Sequence, residues 1–430
     1  LTSIVIPDSV TSIGSSAFYN CTSLMNVTIP DSVTSIGSEA FNRCTSLTNI
    51  VIPDSVTSIG SSTFNGCTSL ASVTIGNSVT SIGYSVFSGC TSLTNIVIPD
   101  SVTSIETYAF YNCTSLANVT IGNSVTSIGS DAFYGCTLLT SIIIPDSVTR
   151  VESYAFYRCT SLTSVTIPDS VTSIGSYAFY GCTSLINITI GRGVTSTLDG
   201  IFDSYNKLER IDVSEENTKY SSMQGILFNK EKSTIIKYPS NKNDISNYEI
   251  PSTVEIIEKY VFQNCTSLTS VTIPDSVTSI SGSAFIGCNK LERIDVSENN
   301  DTYSSVDGIL YNKEKTEMLI VPEGNKSIGI IETPHSYSNN MSETYSKIIE
   351  GASSLSLVFD SKCELESNCD YIEIYNKTDT LVYTSKGRGN RSLANKEITV
   401  EGDTVKIYFY TDSSNVYWGF KCLVKASNTK

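Results

Sequence analysis

The sequence predicts a mainly β protein: a solenoid of 23-residue coils interrupted by β-hairpins, followed by a β-sandwich. Three observations carry this expectation. Cysteines recur at 21, 44, 67, 90, 113, 136, 159 and 182, and resume at 265 and 288, in step with every other apolar position of the repeat. Two longer units beginning at Leu208 and Leu291, 83 residues apart, depart from that period in the same way. Beyond "VPEGNKSIG" the period ends, and short alternating strands take over.

One coil reads Leu24, Val27, Ile29, Val33, Ile36, Ala40, Phe41, Cys44, and the next begins at Leu47. "LMNVTIP" and "SVTSIG" are short strands joined by a Pro-Asp turn, which is Gly-Asn in some coils. "EAFNRC" is expected to form one helical turn. A single coil has no core of its own. Stacked at the strand spacing of about 4.8 Å, successive coils bury a continuous one.

The cysteine suits a tight inner corner, being small, apolar and among the residues most often fully buried. A run of disulfides is the rival reading, but a ladder shares each thiol between two neighbours, and no CxxC spacing marks a metal site. Tyr205 stands where the next cysteine would fall, which obligatory disulfides would not tolerate. The coil cysteines are therefore expected as buried free thiols.

Inventory excludes much chemistry. The formal charge is −15, and residues 1 to 206 contain no lysine, which argues against a nucleic-acid partner. A single histidine, His335, supplies neither a Ser-His-Asp triad for each domain nor a zinc site of several imidazoles. No run approaches the roughly 20 apolar residues that span a bilayer. The chain starts inside a repeat at Leu1, so it is expected to be a piece whose targeting signal and terminal cap lie elsewhere.

The pattern "LTSVTIPDSVTSIGSYAFYGCTSL" resembles the BspA-like leucine-rich repeat family. The resemblance covers about residues 1–325 and implies a leucine-rich-repeat solenoid over 1–326. In the longer units, "GILFNK" followed by "STIIKYP", and "GILYNK" followed by "TEMLIVP", read as β-hairpins inserted into it, as in irregular units of that family. They also bring lysines to a lysine-poor surface.

Outward positions are mostly Ser, Thr and Asn, which suits glycans or extended protein chains and equally suits any soluble solenoid. Tyr108, Tyr111, Tyr134, Tyr154, Tyr157, Tyr177 and Tyr180 cluster beside the "AF" segment of adjacent coils. Such a strip offers large, rigid, amphipathic contact area, although stacked tyrosines can also simply pack along an edge. The column Asp8, Asp31, Asp54, Asp100, Asp146 and Asp169 invites a bridging cation, but Asn77 and Asn123 interrupt it. An Asp after Pro ordinarily binds its own turn, and turn capping is the expected role. The sequons at Asn20, Asn112 and Asn264 are by-products of the repeat.

The strands "SLSLVF", "YIEIY", "TLVYTS", "KEITV", "TVKIYFY" and "GFKCLVK" suggest a β-sandwich. The segment 327–430 resembles a CUB domain through "IIETPHSYSNNMSETYSKI" and, above all, "LVFDSKCELESNCDYIEIY" and "IYFYTDSSNVYWGF". That resemblance implies one calcium ion held by Glu366, Asp370 and Asp412, with Asn415 nearby as a further oxygen donor, although solvated loop acids would look the same. The usual four cysteines are reduced to Cys363, Cys369 and Cys422; one bridge is expected, Cys363 to Cys369, on proximity.

Together these resemblances imply a non-catalytic, exported protein of the cell surface, an adhesin whose solenoid engages host or matrix proteins or glycans. Two alternatives stay open: a solenoid spacer presenting a CUB-like binding head, and accessory modules of a larger surface enzyme.

Overall fold

The computed structural model describes residues 2–198, 200–202, 207–326, 328–360, 362–366, 369–386, 393–412 and 417–427. Among them there is no helix, and therefore none long and apolar enough to cross a membrane. The chain forms two compact units, Leu1–Lys242 and Asn243–Lys430.

In the first unit each coil has three walls. One is a row of short parallel strands, paired as Ser3–Val5 with Asn26–Thr28, Asn49–Val51 with Ser72–Thr74, Asn95–Val97 with Asn118–Thr120, and four strands from Ser141–Ile143 to Arg210–Val213, each paired residue facing the one 23 positions along. The second is a parallel ladder that begins at Ser12–Ile13 and Ser35–Ile36. The third is the "AF…C" segment, where the expected helical turn does not form. Glu39, Phe41 and Arg43 instead donate their N–H groups to carbonyls of Ser61, Thr63 and Asn65 in the next coil, at 2.8–2.9 Å. Positive φ at Glu39 (58°) and Arg43 (59°) turns these groups along the solenoid axis. A helix would have spent its N–H groups internally and left this wall unpaired.

Inside, one phenylalanine per coil stacks on the next. Centroids from Phe18 to Phe179 are 5.1 to 5.5 Å apart, with planes within 14° of parallel. Beside each ring a cysteine thiol donates to a phenylalanine carbonyl 26 residues earlier, as Cys113 does to Phe87 at 3.1 Å. The coil cysteines are free and buried, apart from the half-buried Cys21. Polar groups follow the same step: Ser32 Oγ donates to the Val10 carbonyl at 2.7 Å, and Ser55 repeats the bond to Val33. The unit closes with an antiparallel meander of Tyr220–Met223, Ile226–Asn229 and Thr234–Lys237, the hairpin insertion read from the sequence.

The second unit repeats this plan on a smaller scale. Asn247–Glu249, Ser270–Ile273 and Arg293–Val296 pair in parallel, and the meander Tyr303–Val306, Ile309–Asn312, Met318–Ile320 follows. Then come two four-stranded antiparallel sheets. The first contains Ile328–Glu332, Lys421–Ala426, Ser354–Phe359 and Glu397–Glu401; the second contains Ser342–Ile348, Thr404–Tyr410, Tyr371–Asn376 and Leu381–Thr384. Their inner faces share one core, in which Leu357, Val400 and Val424 of the first meet Ile374, Ile407 and Phe409 of the second. Ile309 of the meander packs with Ile328 and Leu423 of the first sheet. Ion pairs Lys362 to Glu317 and Lys425 to Asp307 lie along the same seam.

Candidate functional site

The tyrosines form two rows along the third wall of the first unit. The inner row is a continuous stack, with Tyr111–Tyr134 at 4.7 Å, Tyr134–Tyr157 at 4.9 Å and Tyr157–Tyr180 at 5.1 Å between centroids. In the outer row Tyr154 and Tyr177 stack at 5.6 Å and lie edge-on to the inner row, as Tyr108 does to Tyr111 at 5.3 Å. The inner rings are half-buried, while Tyr154 and Tyr177 are exposed. Asp131 takes the outer position between Tyr108 and Tyr154, and burial pushes its carboxyl above the usual range. Tyr84, 5.6 Å edge-on from Tyr108 and half exposed, adjoins the outer row and was missed in the sequence because it stands one position ahead of that row, where the neighbouring coils carry Ser61 and Thr107. The guanidinium of Arg158 lies 5.5 Å over Tyr157. All seven sequence-derived tyrosines thus share one surface of stacked rings with hydroxyl edges.

Three aspartates of the column cap turns, though not their own. Asp54, Asp100 and Asp169 each accept the backbone N–H of the residue 23 positions along, Asn77, Asn123 and Arg192, at 2.7–2.8 Å. The expected bond within the same turn is thereby replaced by one between coils. It occurs where the following coil substitutes Gly for Pro, at Gly76, Gly122 and Gly191.

At one end of the antiparallel sheets, Glu366, Cys369 and Asp412 bring ligand atoms within 4.8 Å of one another. Asp370 stands below them and is buried. Its Oδ2 accepts the Tyr337 hydroxyl, and its Oδ1 accepts the Asp412 N–H at 3.0 Å. Burial, then the bond to Asp370, raises the Tyr337 hydroxyl pKa well above normal. Two of the three expected carboxylates therefore converge, while Asp370 holds the loop that carries Asp412. Two carboxylates fit a hard cation; the thiol between them is a soft donor that such an ion does not favour. Asn415 lies outside the described residues, as does Tyr205.

The expected Cys363–Cys369 bridge is not formed. Cys363 is buried, with its sulfur 3.4 Å from both the carbonyl and the N–H of Lys421, whereas Cys369 is exposed. Cys363 faces the core and Cys369 the solvent, so closeness in sequence does not bring them together. A hydrogen bond to Asp412 raises the pKa of the Cys369 thiol.

Residues 1–117, 103–234 and 233–333 match the BspA type Leucine rich repeat region. The chain belongs to the BspA-type leucine-rich repeat family. It is 34% identical to a leucine rich cell surface protein from Faecalibacterium prausnitzii, over 68% of this chain and 69% of that one, with a TM-score of 0.46. A leucine-rich repeat protein from Bacteroides ovatus is 29% identical over 70% of this chain and 79% of that one, with a TM-score of 0.47. A 106-residue stretch, 25% of the chain, is 30% identical to the human zinc finger ZZ-type and EF-hand domain-containing protein 1 and spans 4% of that protein's length.

Two residues of this BspA-type chain went unnoticed in the sequence. Asn217 and Asn300 are fully buried at matching places in the two longer units. Asn300 Nδ2 donates to the Pro274 and Val277 carbonyls at 2.7 and 2.9 Å, and its Oδ1 accepts the N–H groups of Thr302 and Tyr303. Asn217 does the same with Gly191, Val194, Lys219 and Tyr220. Each bolts an inserted meander to the preceding coil. The signal was an Asn nine residues after each "LER" leucine.

Proposed function

We propose that this BspA-type chain is a non-catalytic binding protein of the cell surface, an adhesin that engages host or matrix proteins or glycans through the tyrosine-bearing wall of its coils. The observation that carries this reading is the double row of rings from Tyr84 to Tyr180, half-buried at the base and exposed along the rim. Rings already held by stacking lose little freedom on binding and present hydroxyls at their edges. Replacing the two exposed rings of the outer row, Tyr154 and Tyr177, together by Ser tests the reading. Adhesion to matrix-coated surfaces and to cells is expected to fall at least about tenfold, equivalent to roughly 1.4 kcal/mol, with the melting temperature nearly unchanged. A fall in melting temperature without loss of adhesion makes the rows packing alone.

A second reading, that the CUB-like sandwich is a calcium-dependent head, is favoured by the convergence of Glu366 and Asp412. In it these two carboxylates take the ion and Asp370 orients the loop that carries Asp412. Trp418 is the chain's one tryptophan, so its fluorescence follows unfolding of the sandwich in the intact protein. Millimolar calcium is expected to raise that transition by an amount set by RT ln(1 + [L]/Kd), and Asp412→Ala to abolish the rise. Identical curves in calcium and in chelator overturn it.

A further inference from the structure

The outward face of the parallel strand ladder, away from the tyrosines, carries a second period. Val5, Val51, Val97 and Ile143 point into solvent with 72%, 59%, 63% and 82% of their surface exposed. They alternate with exposed threonines in strict register, Val5 beside Thr28, Val51 beside Thr74, Val97 beside Thr120 and Ile143 beside Thr166. One coil in two thus presents a bulky aliphatic side chain to water. At a strand spacing of about 4.8 Å these points fall roughly 9.6 Å apart.

A polyproline-II helix, with three residues per turn and about 3.1 Å rise, repeats every 9.3 Å or so. Other backbones do not match. An extended strand returns a side chain to the same face about every 6.8 Å, and an α-helix turns once per 5.4 Å or so. From Val5 to Ile143 the aliphatic points span roughly 29 Å, about the length of three polyproline-II turns.

The flank of this stripe is anionic. Asp8, Asp31, Asp54, Asp100, Asp146 and Asp169 are exposed beside it. Near Ile143 the two features share one shallow groove of about 520 Å³, bounded by Ile143, Thr166, Asp146 and Asp169. Four arginines and no lysine precede Lys207; Arg192 pairs with Asp169 at 3.7 Å, and along the coils before it the negative field goes largely uncompensated. We propose that this face docks a polypeptide segment in the polyproline-II conformation, bearing an apolar residue at every third position and Lys or Arg beside it. Proline rings at the repeating position would seat on the aliphatic points between threonine methyls, and the cations would face the aspartates.

The test uses the intact chain and two twelve-residue peptides, (Pro-Pro-Lys)4 and a shuffled peptide of the same composition without the three-residue period. The periodic peptide is expected to bind at least tenfold more tightly than the shuffled one by calorimetry. Val51→Ser, Val97→Ser and Ile143→Ser combined should remove that preference while leaving the melting temperature unchanged, because these side chains are mostly exposed. Replacing Tyr154 and Tyr177 by Ser should leave it intact, which separates this surface from the tyrosine wall. Equal binding of the two peptides would reduce the face to a charge effect and overturn the proposal. So would an undiminished preference in the triple serine variant, or no binding at millimolar peptide.

Discussion

The coils of residues 2–198 and the antiparallel sheets of residues 328–427 use the same two side chains in opposite ways. In the coils every phenylalanine meets a copy of itself, rings nearly parallel, and every buried cysteine has the same carbonyl partner one layer back. In the sheets Phe409 and Phe420 meet edge-on at 5.6 Å and 80°, and Tyr337 approaches Phe409 at 88°. Cys363 and Cys422 are buried in one core, while Cys369 is exposed. Translation permits only parallel stacking, because each layer must leave room for an identical one. A sandwich closes on itself, and its contacts join residues far apart in the chain, each of them singular.

That contrast predicts how damage spreads. The largest effect is expected for Phe110→Ala, a fully buried ring, which should cost about 3–5 kcal/mol by denaturant unfolding. A loss below about 1 kcal/mol would mean that the ring column does not hold the coils together. Asn300→Ala, which strips two carbonyls and two N–H groups of their partner at the base of a meander, should cost about 1–3 kcal/mol. Asn300→Asp should not rescue it, since a carboxylate cannot donate to the Pro274 and Val277 carbonyls.

The thiols give the smallest effect at neutral pH and a growing one above it. Burial pushes Cys44 up to about 11, and Cys113 and Cys182 up to about 12, from 9.0. A pKa raised by folding means that the folded chain holds its protons more tightly. The stabilisation is complete below the unfolded value of 9.0 and is lost as pH rises toward 11 or 12. Stability should therefore be flat from pH 7 to 8.5 and fall steeply above 9. Thiol titration at pH 7.5 should find Cys369 reactive and the buried coil cysteines silent until denaturant is added. Rapid reaction of the coil thiols in the native protein would contradict their burial.

The same contrast explains what could be read in advance. Coil interior, strand pairs and inserted meanders were legible because each core position is a 23-residue translation of another, so one correct phase assigns them all. The third wall was misread as helical because the left-handed residues Glu39 and Arg43 carry ordinary side chains. The signal lay in the position before each cysteine, where Asn and Arg alternate with Gly66, Gly89, Gly135 and Gly181, all at positive φ. The tyrosines were visible as a cluster, but their division into a stacked inner row and an exposed outer row depends on ring orientation. Around Glu366 and Asp412 a resemblance named the acids. Only the fold shows that Asp370 turns inward and Cys369 joins the other two.

The central claim, that identical stacked coils make a one-dimensional body while the sandwich is a single cooperative core, is tested most directly by native-state hydrogen exchange on Phe110→Ala and Phe420→Ala. The account predicts that Phe110→Ala raises exchange in the coils bordering residue 110 and fades within a few layers, whereas Phe420→Ala raises it across both antiparallel sheets together. Uniform loss of protection from residue 2 to residue 198 in the first variant, or loss confined to the strands next to Phe420 in the second, would contradict it.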